Sequence, residues 1–146
     1  MPEATSVPKR PYRWDSWEQF YGVEAASKES QKSKLPGRED GPADAYRHLL
    51  WSAELARRFG ERRARYILGA HEIDGRIRGG QSPDAEAMDR HNNELGIAIG
   101  KQALSWNDVI KSARTVFDRS DRSGMGGNNQ ARWMPAVTVA KKSDRY

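Results

Sequence analysis

A helical periodicity running from about residue 43 to residue 118 constrains this chain more than any other feature. In ADAYRHLLWSAELARRF, residues 43–59, apolar side chains return every three or four positions, as on one face of an α-helix. Gly60 follows, where a helix end favours glycine. A second helix is expected over about 61–74, carrying Ile67, Leu68 and Ala70. GRIRGGQSP then reads as a loop, and Pro83 opens a third helix in the first-turn position that proline tolerates. That helix reaches about Leu104. Ser105 and Asp108 form a capping-box pattern, with Asp for the usual Glu, ahead of a fourth helix ending near Phe117. No strand-like alternation occurs before the short AVTVA at 136–140. The expected fold is therefore all-α: a small helical bundle of about four core helices, with an irregular N-terminal arm and a loop-rich C-terminal tail.

The flanks have a different texture. Residues 1–13 hold three prolines and read as extended, and Trp17, Phe20 and Tyr21 suggest a short helix around 16–26. SKESQKSKLPGREDGPA, residues 27–43, is polar and reads as a linker or surface loop. SDRSGMGGNNQARW, residues 120–133, is glycine-rich and reads as a mobile loop. The organisation expected is an arm and linker over 1–42, a helical catalytic-like domain over 43–118 and a tail over 119–146. There is no cysteine, which excludes disulfides and thiolate chemistry. No apolar run approaches the ~20 residues of a membrane span. MPEATSVPKRPYRW lacks the apolar segment of a signal peptide. The chain is thus expected to be made in the cytoplasm and delivered outside, if at all, by lysis or a secretion machine. The formal charge of +5 suits a polyanionic partner such as an envelope polymer or nucleic acid.

Chemistry is signalled by polar residues on apolar faces. On the third helix Asn92 shares a stripe with Ala85, Met88, Leu95, Gly96 and Ile99, with Asp89 and Asn93 on one margin and His91 on the other. A single buried asparagine is usually a tie to a neighbouring backbone. On the first helix Asp44 and His48 stack four apart, with Trp51 beyond them, and on the second His71 adjoins Glu72. All three histidines of the chain, His48, His71 and His91, lie on different core helices with an acid within four residues. That recurrence points to a shared polar pocket.

The run Asp44-Ala45-Tyr46-Arg47-His48, then His71-Glu72, then Met88-Asp89 with His91-Asn92-Asn93 and Gly96 resembles a helical domain of poorly assigned function. That domain is associated with bacterial secreted proteins, the C-termini of polymorphic toxins and phage-related proteins. The likeness covers about residues 40–100. It implies a small enzyme-like helical module with Asp44, Arg47, His48, His71, Glu72, Asp89, His91, Asn92 and Asn93 as its typical positions, and leaves open an immunity protein as partner.

Two mechanisms fit these residue types. In the preferred one no metal takes part: Glu72 is the general acid or base, assisted by His48, His71 and Asp89, while Asp44, Arg47, His91, Asn92 and Asn93 bind substrate or stabilise developing charge. In the other, two or three histidines hold zinc or another divalent metal, with Glu72 or Asp89 as further ligand or base and Asp44 orienting His48. The spacing after His71-Glu72 is not that of a zincin, since Ile73 and Arg76 stand where the pattern would continue. A serine triad is disfavoured, because Ser52 has no elbow motif around it. The reading is a bacterial or phage hydrolase, toxin- or lysin-like and antibacterial, acting on a cell-envelope polymer or other polyanion. The alternatives are a metal-dependent phosphodiesterase or nuclease and a basic, non-catalytic nucleic-acid-binding module.

Overall fold

The computed structural model describes residues 22–120, 124, 127 and 129–133. The strand-like AVTVA at 136–140, the extended 1–13 and the first part of the helix placed at 16–26 lie outside the described residues. Five helices are described and no strand among them: α1 (Val23–Ser33), α2 (Pro42–Phe59), α3 (Glu61–Arg78), α4 (Pro83–Gln102) and α5 (Trp106–Asp118). The fold is all-α.

α1 corrects the linker reading of 27–43. It runs through SKESQKS, and its inner face is Ala26 and Ser30, both fully buried. Ser30 Oγ donates to the Ala43 carbonyl at 2.9 Å, fastening α1 to the start of α2. The helix escaped notice because its packing face is made of small side chains, which add almost nothing to an apolar periodicity. The following loop is also tight. Gly37 has φ of 74°, and a Cβ there would come within 2.7 Å of the Gly41 Cα. This close pass lets the Ala43 amide reach the Pro36 carbonyl at 2.9 Å and sets the entry angle of α2.

α2 is the central element. Every residue from Pro42 to Ala56 is buried except Arg47, so this helix has no solvent face over four turns. It packs most extensively on α4, where Gly96 and Gly100 meet Ser52, Ala53 and Ala56. α3 continues to Arg78, beyond the expected stop at 74. A lone helical glycine such as Gly75 costs only about 1 kcal/mol, too little to end a packed helix. Ser82 caps α4 by accepting from the Ala85 amide at 3.1 Å, and Ser105 caps α5 by accepting from the Asp108 amide at 3.1 Å.

The tail is only partly the loop expected. Ala131 and Trp133 are buried, and the Trp133 ring stacks on Phe117 at 5.4 Å, which in turn meets Tyr46 edge-on at 5.6 Å. Residues 130–133 thus close the bundle over α4 and α5.

Candidate functional site

α2 contributes Asp44 and His48, one turn apart on the same face, both buried. His48 Nδ1 lies 2.9 Å from the Asp44 main-chain oxygen and 3.2 Å from its carboxylate Oδ1. Its other nitrogen, Nε2, faces Asp89 Oδ1 of α4 at 3.5 Å. The imidazole is therefore held between two carboxylates from different helices. Asp44 is itself gripped: Arg47 Nη2 donates to Oδ1 at 2.5 Å and the Asp40 amide to Oδ2 at 2.8 Å. Gln81, just before α4, donates to Asp89 Oδ2 at 2.7 Å.

α3 brings His71 and Glu72. Glu72 is fully buried, and Asn93 Nδ2 approaches its Oε2 at 3.5 Å. The half-buried His71 ring lies edge-on to Trp51 at 5.1 Å and 6.4 Å from the His48 ring. One ligand atom from each of His48, His71 and Glu72 lie within 4.8 Å of one another, as do those of Asp44, His48 and Asp89. These buried groups could hold a metal ion. Beside Glu72 a cleft of about 250 Å³ opens between α3 and α4, lined by Leu68, Asn93 and Ile97 and by the charged Arg65, Arg90 and Glu94.

The electrostatics follow from crowding acids around one imidazole. Burial disfavours charge on His48, but Asp89 and Asp44 outweigh it and push the ring up to about 10. Burial also opposes ionisation of Asp44, yet His48, Arg47 and the Asp40 amide hold its carboxyl well below the ordinary range. Burial, reinforced by the negative Asp89, lifts Glu72 up to about 7, so it exchanges its proton near neutrality. Burial raises Asp89 as well. His71 moves the other way, down to about 4, through burial and the positive charges of His48 and Arg47.

Asp44, Arg47, His48, His71, Glu72, Asp89 and Asn93 are thus brought together. His91 and Asn92 are not. The Asn92 amide makes a two-way pair with the Arg132 main chain, at 2.7 and 2.9 Å, and His91 Nε2 sits 2.8 Å from the Gln130 carbonyl. Both serve the docking of the tail on α4 rather than the cluster, where their assignment to substrate would have put them. Successive helix residues point about 100° apart, so Asn92 and Asn93 meet different neighbours, the Arg132 main chain and Glu72. Arg47 holds Asp44 rather than standing free for substrate. Ser52 Oγ donates to the His48 carbonyl at 2.5 Å within its own helix, as a packing serine does. Sequence reasoning missed Gln81, the Asp40 amide and the cleft-lining Arg65 and Arg90, none of which carries a local signal.

An all-α bundle with a buried histidine–carboxylate cluster beside a cleft is the class of protein defined here. Residues 13–120 match the family model described as a domain of unknown function, DUF6973, and the chain belongs to that family. No curated protein and no solved structure matches it.

Proposed function

We propose that the chain is a small hydrolase whose Glu72, His48 and Asp89 activate water against a polyanionic polymer, with a cell-envelope polymer the first candidate. One observation carries the reading. Glu72 lines the cleft while its Oε1, together with Asp89 Oδ1 and His48 Nε2, lacks a hydrogen-bond partner among the described residues. A purely structural network satisfies its buried polar atoms, because each one left unpaired costs about 1–3 kcal/mol. Hydrolysis needs a group that takes a proton from the attacking water and returns it to the leaving group. Glu72 is the carboxylate of the cluster that reaches the cleft, Asn93 steadies it, and Asp89 with His48 balances charge behind it. The net charge of +5 suits an anionic substrate, and Arg65 and Arg90 line the cleft, there paired with Glu61, Glu94 and Glu86. A toxin- or lysin-like antibacterial role, with an immunity protein as partner, accords with the resemblance of the Asp44–His48, His71–Glu72 and Asp89–Asn93 motifs.

The test is Glu72→Gln and Asp89→Asn in wall-lysis and growth-inhibition assays. Activity should fall by about 100-fold or more in each, the usual share of general acid–base groups, with the circular dichroism unchanged. Undiminished activity in a folded Glu72→Gln variant would remove Glu72 from the reaction and the reading with it.

A further inference from the structure

We propose that His48 Nε2, His71 and Glu72 Oε1 form a binding site for one divalent transition-metal ion, zinc before others. The assignment rests on the site given to hydrolysis above, but metal binding and hydrolysis can each fail alone.

Three features of the geometry support it. The first is donor chemistry and spacing. Two imidazoles and one carboxylate are an ordinary set for a zinc ion that keeps an open position for water. With bonds of about 2.1 Å, ligand atoms on a tetrahedral ion stand roughly 3.4 Å apart. One ligand atom from each of the three residues already lies within 4.8 Å of the others, so rotamer-scale movement closes the shell.

The second is orientation of His48. Its Nδ1 is engaged by the Asp44 main-chain oxygen at 2.9 Å, with the Asp44 carboxylate at 3.2 Å. A metal-binding imidazole is normally held this way through its remote nitrogen. Asp44 is fixed in turn by Arg47 and the Asp40 amide, so the ring has little freedom to turn away.

The third is independent of the cluster's composition. His48 is 3% and Glu72 1% exposed, and His48 Nε2 and Glu72 Oε1 have no hydrogen-bond partner among the described residues. A cation between them, binding as the His48 Nε2 proton leaves to solvent, would satisfy both atoms at once. Asn93 holds the other Glu72 oxygen, and Gln81 holds the other Asp89 oxygen, leaving Oδ1 of Asp89 turned to His48. With an ion in place Glu72 would serve as a ligand, and the proton-accepting part given to it above would pass to Asp89, whose Oδ1 faces His48. The second trio, Asp44 with His48 and Asp89, is a poorer site because both Asp44 oxygens are already taken by Arg47 and the Asp40 amide.

The experiment uses the full untagged chain, stripped with a chelator and titrated calorimetrically with Zn²⁺, then with Co²⁺ read by visible absorption. About one equivalent should bind, raise the melting temperature by mass action and give the intense bands of a low-coordinate cobalt site. His71→Ala should weaken binding by at least about tenfold, whereas His91→Ala, whose ring belongs to the tail contact, should bind as wild type. If His71→Ala melts too early to read, Glu72→Gln gives the same comparison. No heat and no thermal shift, or an equal loss in His91→Ala and His71→Ala, overturns the site. Hydrolysis that persists at full rate in the metal-free protein overturns a catalytic part for the ion while leaving the hydrolase reading intact. Stoichiometric binding in a chain without hydrolytic activity sustains the site and overturns the hydrolase reading.

Discussion

Asn92 and Asn93 are chemically identical neighbours with unrelated duties. Asn93 reaches Glu72 in the buried cluster, and Asn92 pairs like a second backbone with the amide and carbonyl of Arg132. Replacing Asn92 by alanine leaves both of those main-chain groups without their partner. It should destabilise the fold by about 1–3 kcal/mol and release the stacking of Trp133 on Phe117, seen as a change in tryptophan emission. Hydrolysis per folded molecule should change little, because the Asn92 amide is engaged by the Arg132 main chain and not by the cluster. An inactive Asn92→Ala protein of native stability would contradict this division of labour. The adjacency explains why the sequence could not separate the two roles: a helical wheel shows that their directions differ but not which neighbour stands in either direction.

At the scale of elements, the site depends on how closely α2 and α4 approach, since α2 carries Asp44 and His48 and α4 carries Asp89 and Asn93. The approach is made possible by the absence of two side chains. A Cβ at Gly96 would stand 2.7 Å from the Leu49 carbonyl oxygen, and one at Gly100 would stand 2.2 Å from that of Ala53. Backbone cannot yield as a side-chain tip does. Gly96→Ala and Gly100→Ala should each cost about 1–3 kcal/mol, read from denaturant midpoints, and lower metal affinity with it. Gly69, in the middle of α3, meets nothing within 4 Å, so Gly69→Ala should be neutral or stabilise by up to about 1 kcal/mol. Equal effects at positions 69 and 100 would show that helix propensity, not the crossing, dominates. The four core helices were legible because their caps and stops are local. Ser82 with Pro83, Ser105 with Asp108 and Gly60 act through hydrogen bonds and φ angles within one turn. α1 was not, as Ala26 and Ser30 become a packing face only against α2.

The net charge of +5 belongs to the whole molecule, and here sequence and structure part most clearly. The basic run around the α2–α3 junction reads from sequence as a solvated cluster that leaves a phosphate-tracking role open. In the fold much of it is answered from within: Arg57 pairs with Glu54 at 2.6 Å, Arg65 with Glu61 at 2.8 Å and with Glu94, and Lys101 with Glu61 at 2.9 Å. The exposed pairs of Arg65 and Lys101 add only about 0–1 kcal/mol each to stability, but all of these pairs lower the field available to a polyanion. Duplex DNA should therefore bind weakly, with log affinity falling against log salt at a slope no steeper than about −3, whereas a dedicated module neutralising six to ten phosphates gives a much steeper one. A slope near −6 that flattens when Arg62 and Arg65 are replaced would favour the non-catalytic binding module instead. What the sequence by itself determined was the set of core helices and the short list from which the site is drawn, because periodicity, capping and residue chemistry are carried within a few positions. Only the tertiary structure decided which members of that list meet. His48, Glu72 and Asp89 come from three helices whose rotation about their own axes is set by packing against α2. Gln81, the Asp40 amide and the docked tail enter through contacts that no sequence spacing encodes.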